Sequence, residues 1–343
     1  MRRFSIFHQW WYQRILVFGI TLTIWAGLGV SDGFSMVREY WIAAERIRWD
    51  YAPLSQNLMN PAANLSPWGD TREYEKYRYI EYTDGSFSTP VSQPVWMGIL
   101  GPQLRAIEGD TILVHFLNKA DKPLSMHPHG VKYDEANDGA DVPFRGKSCG
   151  GCFVQPGESW TYQWLADHAS VPGRLGPSST VWLYHSHVNS VEEIYDGLIG
   201  TIVVTQRGKA RSWNDPRPRD VDREFTTLFM VFNEEEDEEP GLMHGINGYI
   251  FGNLQGLEAH RGERVRWYVV GLGTEVDLHT AHWHGETVME GGWQFGRRTD
   301  VVELLPASMK TVDMKADNPG TWLFHCHVND HITAGMSTRW TVK

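Results

Sequence analysis

The stretch richest in reactive side chains is residues 322–336, WLFHCHVNDHITAGM. Cys326 stands between His325 and His327, with His331 five positions after it and Met336 ten. The apolar, aromatic lead-in GTWLF reads as a strand. In an extended chain neighbouring side chains point to opposite faces, so His325 and His327 share one side and Cys326 takes the other. A soft thiolate with imidazoles and a weak thioether suits a blue copper electron-transfer centre, and two imidazoles on the far side suit a second metal site. The backbone between Cys326 and its neighbours then becomes a short covalent route for electrons. A lone His-Cys-His triplet fits a buried thiol beside structural histidines equally well, since free Cys is often simply core. The remaining histidines decide the matter.

Four His-x-His pairs are present, His127/His129, His185/His187, His282/His284 and His325/His327, among 15 histidines in all. Alternation lets each pair offer two imidazoles from one strand face. Eight imidazoles exceed what one metal takes and suffice for a cluster of three. A further trio, His279, Cys326 and His331, with Met336 as a long axial ligand, makes a mononuclear blue site. The pairs also fall in repeat register. WLYHSHV around His185 mirrors WLFHCHV around His325, 140 positions on, and HPHG at His127 mirrors HWHG at His282. The chain therefore reads as two copies of one β-sandwich. The copies differ in one respect: Ser186 stands where Cys326 stands, and nothing after His187 matches His331 or Met336.

The elements that must position these groups are strands. With 16 Trp, 13 Tyr, 34 Gly and 17 Pro in 343 residues, composition is aromatic, turn-rich and β-leaning. Strands are expected over 36–50, 77–83, 111–117, 158–164, 181–184 and 198–204, with a polar loop over 51–75 and little helix. The division expected is a leader over 1–35, a first sandwich over 36–206, a polar, Pro-rich linker over 207–222, and a second sandwich over 223–343. The leader has Arg2, Arg3 and Arg14 ahead of an uncharged run over 15–30, which reads as a secretory signal or membrane anchor and points to an exported, periplasmic or extracellular body. Cys149 and Cys152 in a Gly-rich loop fit a small structural disulfide better than a zinc site, for which no second C-x-x-C exists. Net charge is −11, and no basic patch of the kind nucleic acid requires is visible.

The motifs HPHG, YHSHV, HTAHWHG and HCHVNDHITAGM resemble the four copper-binding motifs of the multicopper oxidases. Phrases such as GINGYIFGNLQGL over 245–257 resemble the ceruloplasmin-type branch, and the two-sandwich size, with a thiolate site only in the second, resembles the small two-domain laccases. The resemblance implies an all-β fold of two tandem cupredoxin-like Greek-key sandwiches. It implies four coppers per functional unit. Type 1 copper falls to His279, Cys326, His331 and Met336, and type 2 to His127 and His282. The type 3 pair falls to His129, His185, His187, His284, His325 and His327. It further places Tyr133 beside type 2 copper and gives Asp138 a proton-relay role to O2, although both also suit an ordinary polar loop. A ring of six sandwiches is implied, which a two-domain chain reaches as a homotrimer with the cluster at subunit interfaces.

The reductant is the open question. The leading reading is laccase-like, with phenols or aromatic amines as electron donors. The alternative is a ferroxidase-like oxidation of a low-valent metal ion: Glu239 and His244, at the end of the acidic run over 233–239, and Asp330 match positions of the ceruloplasmin iron site, and such carboxylates suit a hard cation. A charge run is also commonly just a solvated loop. The 11 Met form no cluster, which argues against a cuprous-ion specialist. A copper nitrite reductase would need a thiolate in the first sandwich, and a non-catalytic relative, as in clotting-factor A domains, would have lost ligands; Ser186 and the complete set of pairs argue against both.

Overall fold

A computed structural model describes residues 35–145, 149–235 and 239–343. The expected leader lies outside the described residues, as does the middle of the acidic run. No helix among the described residues is long and apolar enough to cross a membrane.

Among the described residues nineteen strands form four sheets. Glu73–Tyr82, Val37–Asp50, Thr111–Asn118 and Ser159–Leu165 make the first; Gln103–Ile107, Ile199–Thr205, Ser179–His185 and His127–Pro128 make the second. Ile42, Val114 and Tyr162 of the first meet Leu104, Tyr184 and Ile202 of the second in one core. The strict alternation of buried and half-exposed residues along Thr111–Asn118 is the period-2 pattern of a strand with one face in such a core. The other two sheets use only residues after 222. One is built around Arg223–Asn233, Arg264–Gly271 and Ser308–Lys315, the other around His279–Trp283, Gly320–Cys326 and Ser337–Val342. Their core holds Phe225, Trp267, Trp283, Phe324 and Trp340.

The repeat extends to strand pairing. Thr111–Asn118 runs parallel to Val37–Asp50, and Arg264–Gly271 runs parallel to Arg223–Asn233. Gln103–Ile107 runs parallel to Ile199–Thr205, and Glu258–Ala259 runs parallel to Ser337–Val342. The only α-helices among the described residues, Ser190–Tyr195 and Asn329–Thr333, each follow a histidine-bearing strand. A third apolar cluster, with Ile99, Leu183 and Ile199 facing Leu228, Met230 and Tyr268, joins the halves into one compact unit over 35–343.

Two expectations shift. The strand expected from 77 begins at Glu73, because Glu73 and Glu75 pair across to Arg48 and Arg46 and extend the ladder. The loop after residue 50 is partly core: Tyr51 and Leu65 join the inter-sandwich cluster. Cys149 and Cys152 form a disulfide with Cα atoms 5.3 Å apart.

Candidate metal centres

The strand His279–Trp283 lies between Gly320–Cys326 and Val301–Leu304, and its register sets Ala281 opposite Cys326 and His282 opposite His325. Alternation then sorts the side chains. Cys326 turns inward with His279, and the short helix after the strand returns His331 to the same point. The three form a buried donor set. The His279 and His331 Nδ1 atoms lie 3.1 Å apart, and Cys326 Sγ lies 3.9 and 3.7 Å from them. The Thr280 N–H points at the sulfur at 3.4 Å. Met336 is fully buried in the same core; its carbonyl accepts the Cys326 N–H and its N–H donates to the His331 carbonyl.

Burial pushes the Cys326 thiol up, but hydrogen bonds to His279, His331 and the N–H groups of Thr280 and Val328 outweigh it and bring it down to about 6. Burial lowers His279, yet Asp277 and Cys326 overcome that and raise it. Asp277 was not singled out from the sequence. Its buried carboxylate takes the Nε2 of His279 at 3.0 Å and the N–H groups of Val231 and Thr274, which turns Nδ1 toward the sulfur. Its carboxylate two residues before His279, just ahead of the strand, is the signal that could have marked it.

The paired histidines gather in two groups, one on the opposite side of these strands and one at the matching place in the first sandwich. His127, His129, His185 and His187 stand with ring centroids 5.1–5.7 Å apart. His282, His284, His325 and His327 repeat this at 5.0–5.5 Å. Among the described residues no ring contact or hydrogen bond joins one group to the other. Within each group two Nδ1 atoms are occupied by carbonyls: His127 by Asp138 at 2.7 Å, His282 by Asp300 at 2.7 Å, His185 by Ser186 at 2.8 Å and His325 by Cys326 at 2.6 Å. An Nδ1–H that donates leaves a lone pair on Nε2. The Nε2 atoms of His185 and His325 meet those of His129 and His284 at 3.1 and 3.0 Å. Two imidazoles bound to one ion at about 2.0–2.1 Å each bring their nitrogens to roughly this separation. Burial, then repulsion from neighbouring imidazoles, lowers His185 to about 3 and His129 and His325 to about 4, so these rings stay neutral and able to ligate. The donor sets fit copper: thiolate with imidazoles at one point, imidazoles alone at the others.

The remaining expected residues fall close by. The Tyr133 ring meets His127 edge-on at 6.0 Å, and the Asp138 carboxylate reaches His127 Nδ1 at 3.1 Å. His244 lies with its ring 5.0 Å from that of His331, and its Nε2 is 3.1 Å from Glu239 Oε1. Trp68, also missed from sequence, donates its indole N–H to the same carboxylate. Asp330 is exposed at the start of the helix that carries His331; among the described residues it makes no hydrogen bond or ion pair with Glu239 or His244.

Two cupredoxin-type sandwiches carrying one thiolate-imidazole set and two four-histidine groups define a copper-binding oxidoreductase. Multicopper oxidase family models match residues 80–209 and 217–343, and the chain belongs to the multicopper oxidase family. It is 36% identical to the human ferroxidase HEPHL1 over 90% of its length, and 36% identical to human ceruloplasmin over 89%. It spans only 29% and 30% of those relatives. Among solved structures, a multicopper oxidase superposes with a TM-score of 0.63 at 21% identity, over 90% of this chain and 89% of that one. The blue copper oxidase of Nitrosomonas europaea gives 0.61 at 20%, over 89% and 86%.

Proposed function

We propose that the chain is an oxidase that takes electrons singly from a reducing substrate and delivers four of them, with four protons, to one dioxygen to form two waters. The observation that carries this is the back-to-back placement of the Cys326 set and the histidine group containing His325 and His327 on one strand. Copper held there supplies one-electron redox chemistry and the point of dioxygen reduction. His279, Cys326, His331 and Met336 are assigned to type 1 copper, His127 and His282 to type 2, and His129, His185, His187, His284, His325 and His327 to the type 3 pair. Cys326 connects through one peptide unit to each flanking histidine, so the thiolate and the cluster ligands share a short covalent path. Asp138 and Tyr133, against His127, hold and relay protons for the dioxygen site.

Each sandwich offers half of an eight-histidine cluster, and the halves do not touch within the chain. A head-to-tail ring closing under three-fold symmetry unites the first group of one copy with the second of its neighbour. This supports a homotrimer with four coppers per functional unit. Export is supported by the basic-then-apolar N-terminal sequence and by the Cys149–Cys152 disulfide.

For the reductant, the line Glu239–His244–His331 favours a low-valent metal ion such as Fe(II), bound by the carboxylate and imidazole with Asp330 at the rim and one ring contact from a type 1 ligand. The ferroxidase relative agrees. Phenols and aromatic amines form the second reading, favoured by exposed Leu278 and Leu305 beside His279 and its strand partner Leu304. Oxygen uptake with Fe(II) and with a phenol, side by side, separates them. Glu239→Ala and Asp330→Ala should lower kcat/KM for Fe(II) about 10- to 100-fold, as loss of residues around a metal does, and leave the phenol rate intact; equal losses on both substrates would sink the metal-ion reading. Sedimentation should give three chains, and a monomer with full activity would remove the shared cluster.

A further inference from the structure

We infer that the open end of the seam between the two sandwiches binds a multivalent oxyanion. The strands Arg264–Gly271 and Ser308–Lys315 present three successive rungs toward the first sandwich: Tyr268 opposite Thr311, Arg266 opposite Asp313, and Arg264 opposite Lys315. The first rung is closed by Ser179, whose hydroxyl lies 2.7 Å from Tyr268 Oη. The second is a fully buried ion pair with hydrogen bonds of 2.7 and 2.9 Å, and Arg266 Nη1 also donates to Ser178 and Ser179 Oγ. Every charge on it is matched. The third rung sets two cations directly opposite each other, which destabilises an antiparallel pair unless something lies between them.

That rung opens on a cavity of about 400 Å³. Arg174 enters it from the first sandwich and Lys209 from the linker, and Trp293 walls it. Among the described residues, none of Arg174, Lys209, Arg264 and Lys315 has a side-chain hydrogen bond or ion pair. The one carboxylate on the lining that is not paired to an arginine, Asp220, accepts the Ser178 hydroxyl at 2.6 Å. Four unmatched cations around one carboxylate, in a chain of net charge −11, make a site for an anion carrying two or three charges. Guanidinium and ammonium groups around it match phosphate or carboxylate oxygens. The ligand is therefore an oligophosphate or a polycarboxylate.

The test is calorimetric titration of the copper-loaded protein with pyrophosphate and with benzene-1,3,5-tricarboxylate. At least one should bind with one site per chain, more tightly at low salt; whichever binds tighter identifies the ligand class. Arg264→Ala with Lys315→Met should weaken binding about tenfold or more, as loss of charge-assisted hydrogen bonds entails, with oxygen uptake unchanged. Lys209→Ala, on an exposed turn, provides a second variant with little effect on folding and should weaken binding in the same direction. Copper withdrawal by the titrant would be equal in wild type and variants, so the difference between isotherms reads the cavity alone. Absence of binding by both anions, or identical isotherms for all the proteins, overturns the site.

Discussion

The two sandwiches hold the same backbone socket and fill it differently. In the second, the Thr280 N–H points at Cys326 Sγ at 3.4 Å, and the Cys326 N–H donates to the Met336 carbonyl. In the first, the Ser125 N–H donates to Ser186 Oγ at 3.1 Å, and the Ser186 N–H donates to the Leu198 carbonyl. Around the sulfur stand His279 and His331; in the first sandwich Leu124 takes the place of His279 by the repeat, and buried Glu193, whose carbonyl accepts the Leu198 N–H as that of His331 accepts the Met336 N–H, takes the place of His331. Where the Val328 N–H helps hold the thiolate, the Val188 N–H donates to the buried carboxylate of Glu193 at 3.0 Å. The four-histidine face is kept in both. The socket is therefore a property of the sandwich, and three side chains decide whether it takes copper. The histidine face, by contrast, is present in both, as the proposed cluster shared between sandwiches requires.

The sharpest way to break this comparison is to exchange the two socket residues. Cys326→Ser makes the second sandwich resemble the first. Visible blue absorption should vanish and oxygen uptake should fall to background, while copper content drops by one per functional unit. The reverse change, Ser186→Cys, should add a thiol without colour, since Leu124 and Glu193 give it no imidazoles. A blue Ser186→Cys protein, read by visible absorption and copper analysis, would show that the socket alone selects the metal.

A smaller effect tests what orients the ligands. Asp277 fixes His279 in the second sandwich, and its counterpart by the repeat is Lys122, which pairs with Asp196 instead. Asp277→Asn replaces an oxygen that accepts N–H groups with a donor, at a site of zero exposure. Copper affinity at the Cys326 set should fall about 10- to 100-fold, the usual range for such outer partners, with the four-histidine groups unaltered. Copper titration followed by blue absorption reads the first, and retained copper at the histidine groups reads the second.

Much of this architecture was legible beforehand because period-2 alternation and His-x-His spacing are local signals. They sorted Cys326 from His325 and His327 correctly, and the repeat put the strands in register. What escaped depends on contacts between distant segments. Trp68 reaches Glu239 across 171 positions, and no local pattern announces that. Tyr51 lay in a stretch read as loop because its partners, Phe232 and Glu234, belong to the other sandwich. Asp277 was visible in sequence but unremarkable until its burial was known. The Arg264–Lys315 rung escaped because register between two strands sets it, not spacing along one.

The smallest effect expected concerns acid. The imidazoles of the first group are the more buried, and His185 and His129 fall to about 3 and about 4; in the second group His325 falls to about 4 and burial lowers His284 as well. In the unfolded chain such rings take up protons near 6.5. A base whose folded value is depressed contributes its full stability above the unfolded value and loses it as pH falls toward the folded one. The window for these groups is therefore pH 6.5 down to about 3–4. Cys326, held at about 6, titrates inside the same window, so the measurement belongs in copper-free Cys326→Ser protein. Its Tm should decline through that window. His185→Gln should flatten the curve more than His325→Gln, because the first group carries the larger depression. Equal flattening by the two substitutions would mean that the sandwiches differ only at the sulfur and not in how deeply each buries its share of the cluster.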